Sequence, residues 1–183
     1  MNLPNKLTVT RALMIPAIVV LMMVGGRVCG LIAVVLFAVA SFTDYLDGHI
    51  ARSRGLVTDF GKFMDPIADK LLVTAVMIMM VESGLMAGWM LVIFVAREFI
   101  VSGLRLVAAG KGIVLAAGKL GKIKTATQMA ALIVTLTFYY VMGGAPLMWM
   151  QILSGILIYM ALVFSVWSGA DYIVRNRQVI ADM

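Results

Sequence analysis

Asp44, Asp47, Asp65 and Asp69 stand close together in an otherwise apolar part of the chain. On a helix, Asp44, Asp47/Gly48 and Ala51/Arg52 align at i, i+3/i+4 and i+7/i+8. Gly61, Asp65 and Asp69 form a second stripe by recurring every fourth residue. Four carboxylates drawn together cannot all ionise in a low dielectric without compensation. Hard divalent cations, which prefer carboxylate oxygen, supply it. Two Mg²⁺ or Mn²⁺ ions would balance four carboxylates in formal charge, and two ions about 3.5–4 Å apart suit phosphoryl displacement. Small Gly48 and Ala51 let a phosphate or nucleotide approach the backbone, and Arg52 offers a guanidinium to phosphate oxygens.

The elements that must position these residues are membrane helices. The 183 residues are 63% hydrophobic with a mean hydropathy of +1.05. A soluble domain of this size cannot hide so much apolar surface. The expected fold is all-α and polytopic, a single domain over 1–183, with no cleavable leader. Six spans of about 20 residues are predicted at 7–25, 30–54, 61–82, 85–109, 121–142 and 147–170, punctuated by glycines. One side carries Lys6, then Arg52, Arg54 and Lys62, then Lys111, Lys119, Lys122 and Lys124, then Arg175 and Arg177. The other carries only Arg27. The positive-inside rule therefore puts both termini and the aspartate-bearing ends on the cytoplasmic side of the cell membrane. The net charge of +6 is scattered between apolar segments. It fits anionic headgroups and phosphorylated substrates, with no nucleic-acid partner expected.

The run Asp44-x-x-Asp47-Gly48-x-x-Ala51-Arg52, eight residues, then Gly61-x-x-x-Asp65-x-x-x-Asp69 resembles the full signature of the CDP-alcohol phosphatidyltransferase family. The resemblance implies that Asp44, Asp47, Asp65 and Asp69 bind two metals and that Asp69 acts as general base. It also implies that Gly48, Arg52 and Gly61, with Asp44, hold the CDP group, and that the protein is a homodimer. Three shorter segments are similar to the bacterial phosphatidylglycerophosphate synthase branch. They are Pro4-Asn5-x-Leu7-Thr8-x-x-Arg11, Ala96-Arg97-Glu98 with Arg105, and Gly121-Lys122-Ile123-Lys124-Thr125. That branch implies CDP-diacylglycerol and sn-glycerol 3-phosphate as substrates. A pocket lined by Arg97, Arg105, Lys119 and Lys122, with Thr8 and Arg11, would suit an acceptor that itself carries phosphate.

Other readings compete. The aspartates would form a mere polar seam if they paired with Arg52, Lys62 and Lys70, but structural carboxylates are expensive in lipid. A cation transporter would need a polar path across the membrane, and the outer halves of the second and third spans lack charge. Inositol phosphate, serine and phosphatidylglycerol are the alternative acceptors within the family. Glu98 reads as neutralising an arginine, His49 as a bystander, and the sixteen methionines as packing. Trp89, Trp149 and Trp167 with Tyr139, Tyr140 and Tyr172 read as interfacial anchors. Pro66 predicts either a kink in the third span or a helix starting there, with Asp65 as its N-cap.

Overall fold

The computed structural model describes residues 3–53, 59–113, 115 and 118–178, with side chains described at 9–43, 64 and 67–178 within them. All regular structure among them is helical: α1 (Leu3–Val24), α2 (Arg27–Ser53), α3 (Asp59–Glu82), α4 (Gly88–Gly110), α5 (Lys119–Val141) and α6 (Met148–Arg175). Each predicted span has its helix. The largest difference is at the end of α6, expected at 170 and found at Arg175. The tail residues Asp171 and Arg175 form an i,i+4 ion pair at 2.7 Å, which supports the extra turn.

Glycine ends the helices where the sequence is punctuated. After α3, Gly84 adopts φ +71°, the Leu85 N–H donates to Met80 O at 2.8 Å, and the Gly84 N–H donates to Val81 O at 3.1 Å. The same pair of bonds closes α4 at Gly112, where φ is +75°. These are Schellman ends, which need a residue that enters the left-handed region without strain. Pro66 does not start a helix. The backbone of α3 is helical from Asp59 onward, so Asp65 lies within the helix and not at its N-cap.

The chain divides into two compact units, residues 1–85 with 135–147 and residues 86–134 with 148–183. In the first, α1 packs against α2 and α3, and α2 against α3. Small Ala33 and Ala40 on α2, almost fully buried, let helix backbones approach, and Phe37, Leu72, Val76 and Met80 fill the core. Tyr140 covers Gly30 so closely that a Cβ there would fall within the ring. In the second unit α4 packs against α6, with Val101, Leu104, Ala108 and Tyr172 forming a buried cluster.

The outer surface is apolar. Leu13, Val28, Phe42, Leu71, Phe99, Leu106, Trp149 and Val163, from five helices, are each more than half exposed. By length and composition, one described helix, α6, is long and apolar enough to cross a membrane. Val9–Val24 and Arg27–Thr43 are shorter apolar helical stretches.

Candidate active site

The acidic motif lies on the first unit. Asp44, Asp47, Gly48 and Arg52 occupy the last turns of α2, and Gly61, Asp65 and Asp69 occupy the first turns of α3. Both stretches are helical, so i,i+3 on α2 and i,i+4 on α3 place each pair of aspartates on one helix face. The hydrocarbon-to-polar transition in α2 is eased by local bonding. Ser41 Oγ donates to Phe37 O at 2.7 Å, and Thr43 Oγ1 lies 2.7 Å from Val39 O and 3.0 Å from Ala40 O. Asp69 is exposed, while Ala68 and Leu72 beside it are buried in the core. Asp69 therefore sits at the edge of the packed face of α3. Arg11 is buried on α1, one turn before Ile15. The side chains of Thr8, Asp44, Asp47, Arg52 and Asp65, and the surroundings of Gly48 and Gly61, lie outside the described residues.

In the second unit Arg97 and Lys124 join a network built from three helices, and Arg105 forms a separate pair. On α4, Arg97 donates from Nη1 to Glu98 Oε1 at 3.3 Å and from Nη2 to Ser168 Oγ of α6 at 2.9 Å. Glu98 also accepts an ion-paired bond from Lys124 Nζ of α5. Lys124 is buried and Arg97 largely so, hence this cluster holds two cations around one carboxylate. Two turns further along α4, Arg105 donates from Nε to Tyr172 Oη at 3.0 Å, with its guanidinium carbon 5.2 Å from the Tyr172 ring centre. Lys119 and Lys122 are exposed at the start of α5.

Five residues in these contacts have no site role on sequence grounds: Glu98, Lys124, Ser168, Gly169 and Tyr172. Lys124 belongs to the quoted Gly121–Thr125 segment, but nothing local distinguishes it from Lys119 and Lys122. Ser168 and Gly169 are adjacent small residues in an apolar helix, a signal of close helix approach. Tyr172 reads locally as an interfacial anchor, as does Tyr140. Both are instead buried, Tyr140 over Gly30 and Tyr172 among Val101, Leu104 and Ala108. Trp89, Trp149 and Trp167 are exposed. Glu98 does neutralise an arginine, and a lysine besides.

Among the described side chains, no three His, Cys, Asp or Glu residues gather into a metal-sized cluster. Three carboxylates of the motif, Asp44, Asp47 and Asp65, fall outside those described side chains. Four carboxylates on two touching helices make an all-oxygen set suited to Mg²⁺ or Mn²⁺ and unsuited to softer ions.

The family model for CDP-alcohol phosphatidyltransferases matches residues 1–167. The chain belongs to that family. It is 40% identical over 193 residues to a protein of Bacillus subtilis (strain 168) named CDP-diacylglycerol–glycerol-3-phosphate 3-phosphatidyltransferase, covering 98% of this chain and 97% of that one. Proteins of the same name are similar in Rickettsia typhi, 38% identical over 93% of this chain and 94% of theirs, and in Salmonella choleraesuis, 32% identical over 99% and 98%.

Proposed function

We propose that this chain transfers the phosphatidyl group of CDP-diacylglycerol to sn-glycerol 3-phosphate, giving phosphatidylglycerophosphate and CMP. The observation that carries this reading is the complete family motif set on two helices that touch, α2 and α3. The names of relatives at 32–40% identity over nearly the whole chain support the choice of acceptor.

Asp44, Asp47, Asp65 and Asp69 would hold two Mg²⁺ or Mn²⁺ ions. When bound, these ions neutralise the charge of the pyrophosphate and of the leaving phosphate. Asp44, Gly48, Arg52 and Gly61 position the CDP group, with the glycines admitting it close to the backbone. Asp69, exposed at the edge of α3, takes the proton of the acceptor hydroxyl. That oxygen forms a bond to the β-phosphorus as the bond from this phosphorus to the bridging oxygen breaks, and CMP departs. Direct displacement requires no protein nucleophile. Arg97, Arg105, Lys119 and Lys122, with Thr8 and Arg11, bind the acceptor's phosphate through charge-assisted bonds.

The protein acts as a single domain and a homodimer in the cytoplasmic membrane, multi-pass, with both termini cytoplasmic. The apolar exposed surface and the one-sided distribution of Lys and Arg support this placement. The decisive experiment is CMP release by purified protein from CDP-diacylglycerol with Mg²⁺ or Mn²⁺. Release should depend on glycerol 3-phosphate, and serine, inositol phosphate or phosphatidylglycerol should not replace it. Equal turnover with serine would leave the family reaction standing and remove the acceptor assignment. In intact cells, an impermeant thiol reagent should reach Cys29 but not a cysteine replacing Ser53, and the reverse pattern would invert the topology.

A further inference from the structure

We propose that Ser168, Gly169 and Tyr172 of α6 are positioning residues that hold the two arginines of α4 in the orientation that receives the acceptor's phosphate. The proposal rests on the reading of Arg97 and Arg105 as phosphate-binding groups. An arginine side chain is long and flexible, so a site built from one needs partners that select a single orientation.

For Arg97 the partners are two adjacent residues. A Cβ at Gly169 would lie 3.0 Å from Arg97 Cγ, so the arginine stem rests directly on the backbone of α6. Beside it, Ser168 Oγ accepts from Nη2 at 2.9 Å and itself donates to Ser165 O at 3.1 Å. The serine proton is thus committed to a carbonyl, which turns a lone pair toward the guanidinium. Glu98 takes Nη1, and the buried Nε has no hydrogen-bond partner within the protein.

Arg105 is held the opposite way. Tyr172 engages its Nε and underlies the guanidinium with the ring, and the tyrosine is fixed by burial in the cluster of Val101, Leu104 and Ala108. The terminal nitrogens of Arg105 are then the donors a phosphate would take. One short segment of α6 orients both cations. Arg105 thereby keeps both terminal nitrogens for an anion, whereas Arg97, with Nη1 on Glu98, Nη2 on Ser168 and Nε buried, keeps the second N–H of each terminal nitrogen.

The test uses the full-length protein in mixed micelles with CDP-diacylglycerol. Ser168→Ala, Gly169→Ala and Tyr172→Phe should each raise the KM for glycerol 3-phosphate about threefold to tenfold, as expected for one lost or displaced hydrogen bond. The KM for CDP-diacylglycerol should stay constant, and Ser168→Thr, which keeps the hydroxyl, should behave as wild type. A readout independent of turnover is adduct formation with phenylglyoxal, mapped by mass spectrometry. It should rise at Arg97 in Ser168→Ala and Gly169→Ala, and at Arg105 in Tyr172→Phe. Unchanged arginine reactivity in all three variants would overturn the proposal. If Arg97→Lys and Arg105→Lys raise the acceptor KM while the α6 variants do not, the positioning role fails and the acceptor site survives. If none of the five raises it, the acceptor reading itself is wrong, and the proposal falls with it. Should Gly169→Ala not fold, Ser168→Ala and Tyr172→Phe decide alone.

Discussion

The acidic ends of α2 and α3 and the basic cluster of α4, α5 and α6 solve the same electrostatic problem differently. Both place charges in strongly apolar helices. The basic cluster contains its own counter-ion: Glu98 lies between Arg97 and Lys124, and Arg105 rests on an aromatic ring. Arg97, Glu98 and Lys124 together carry one positive unit and Arg105 adds a second, enough to attract an anion. The aspartate stripes bring four negative charges to two touching helices, with Arg52, Lys62 and Lys70 near them in sequence. Divalent cations from solution would balance such a site. Metal dependence should therefore reside in the first unit, and acceptor selectivity chiefly in the second, with Thr8 and Arg11 as the first unit's share.

The largest effect should come from breaking the acidic side. Asp44→Asn, Asp47→Asn and Asp65→Asn should each reduce metal-dependent CMP release by about 10²–10⁴-fold, since each removes a ligand and part of the charge balance. Unaltered turnover and an unaltered Mg²⁺ or Mn²⁺ titration in any one of them would strike that residue from the ligand set. Asp69→Asn sharpens the same comparison, because it separates ligation from proton transfer. Turnover should fall by roughly 10²-fold or more while CDP-lipid binding falls much less. Near-normal turnover would remove Asp69 as base.

On the basic side the expected losses are smaller and confined to one substrate. Arg105→Ala or Lys122→Ala should raise the acceptor KM about tenfold to hundredfold, the worth of one charge-assisted bond. The KM for CDP-diacylglycerol should hardly move. A shift in the CDP-lipid KM alone would reverse the division of labour between the two regions. The smallest effect on chemistry should come from Gly30→Ala, which sets a methyl group against the Tyr140 ring without touching either charged region. Overpacking of this kind costs about 1–3 kcal/mol, so the thermal midpoint should drop by several degrees while both KM values hold. A changed substrate KM in that variant would show that the core and the site are coupled.

Six helices were legible from hydropathy and glycine punctuation, because apolar length and helix stops are local properties. The aspartate stripes were equally legible, since helical periodicity converts spacing into a shared face without reference to any partner. Of the two outcomes Pro66 allows, the helix start is excluded. Proline disfavours helix at the residue before it, yet α3 is helical on both sides, an override by context that local propensity does not contain. Burial of Tyr140 and Tyr172 is not legible locally, because an amphipathic ring suits both a membrane interface and a polar contact within a core. Only the packing of Gly30, and of Val101 with Ala108, decided between those places.

What the sequence by itself determined is therefore the helical class, the family motif and the identity of the four carboxylates, all carried by residues close together in the chain. What tertiary structure decided is which cations are committed to the protein and which are left for a ligand. Lys119, Lys122 and Lys124 are three similar residues within the first two turns of α5. Lys124 alone turns inward to Glu98, 26 residues earlier in sequence, while the other two remain exposed. Arg97 and Arg105 likewise acquire their orientation from Ser168 and Tyr172, 71 and 67 residues away. Side-chain direction at such distances is set by helix packing, because an arginine or lysine has many rotamers of similar energy until a buried partner selects one.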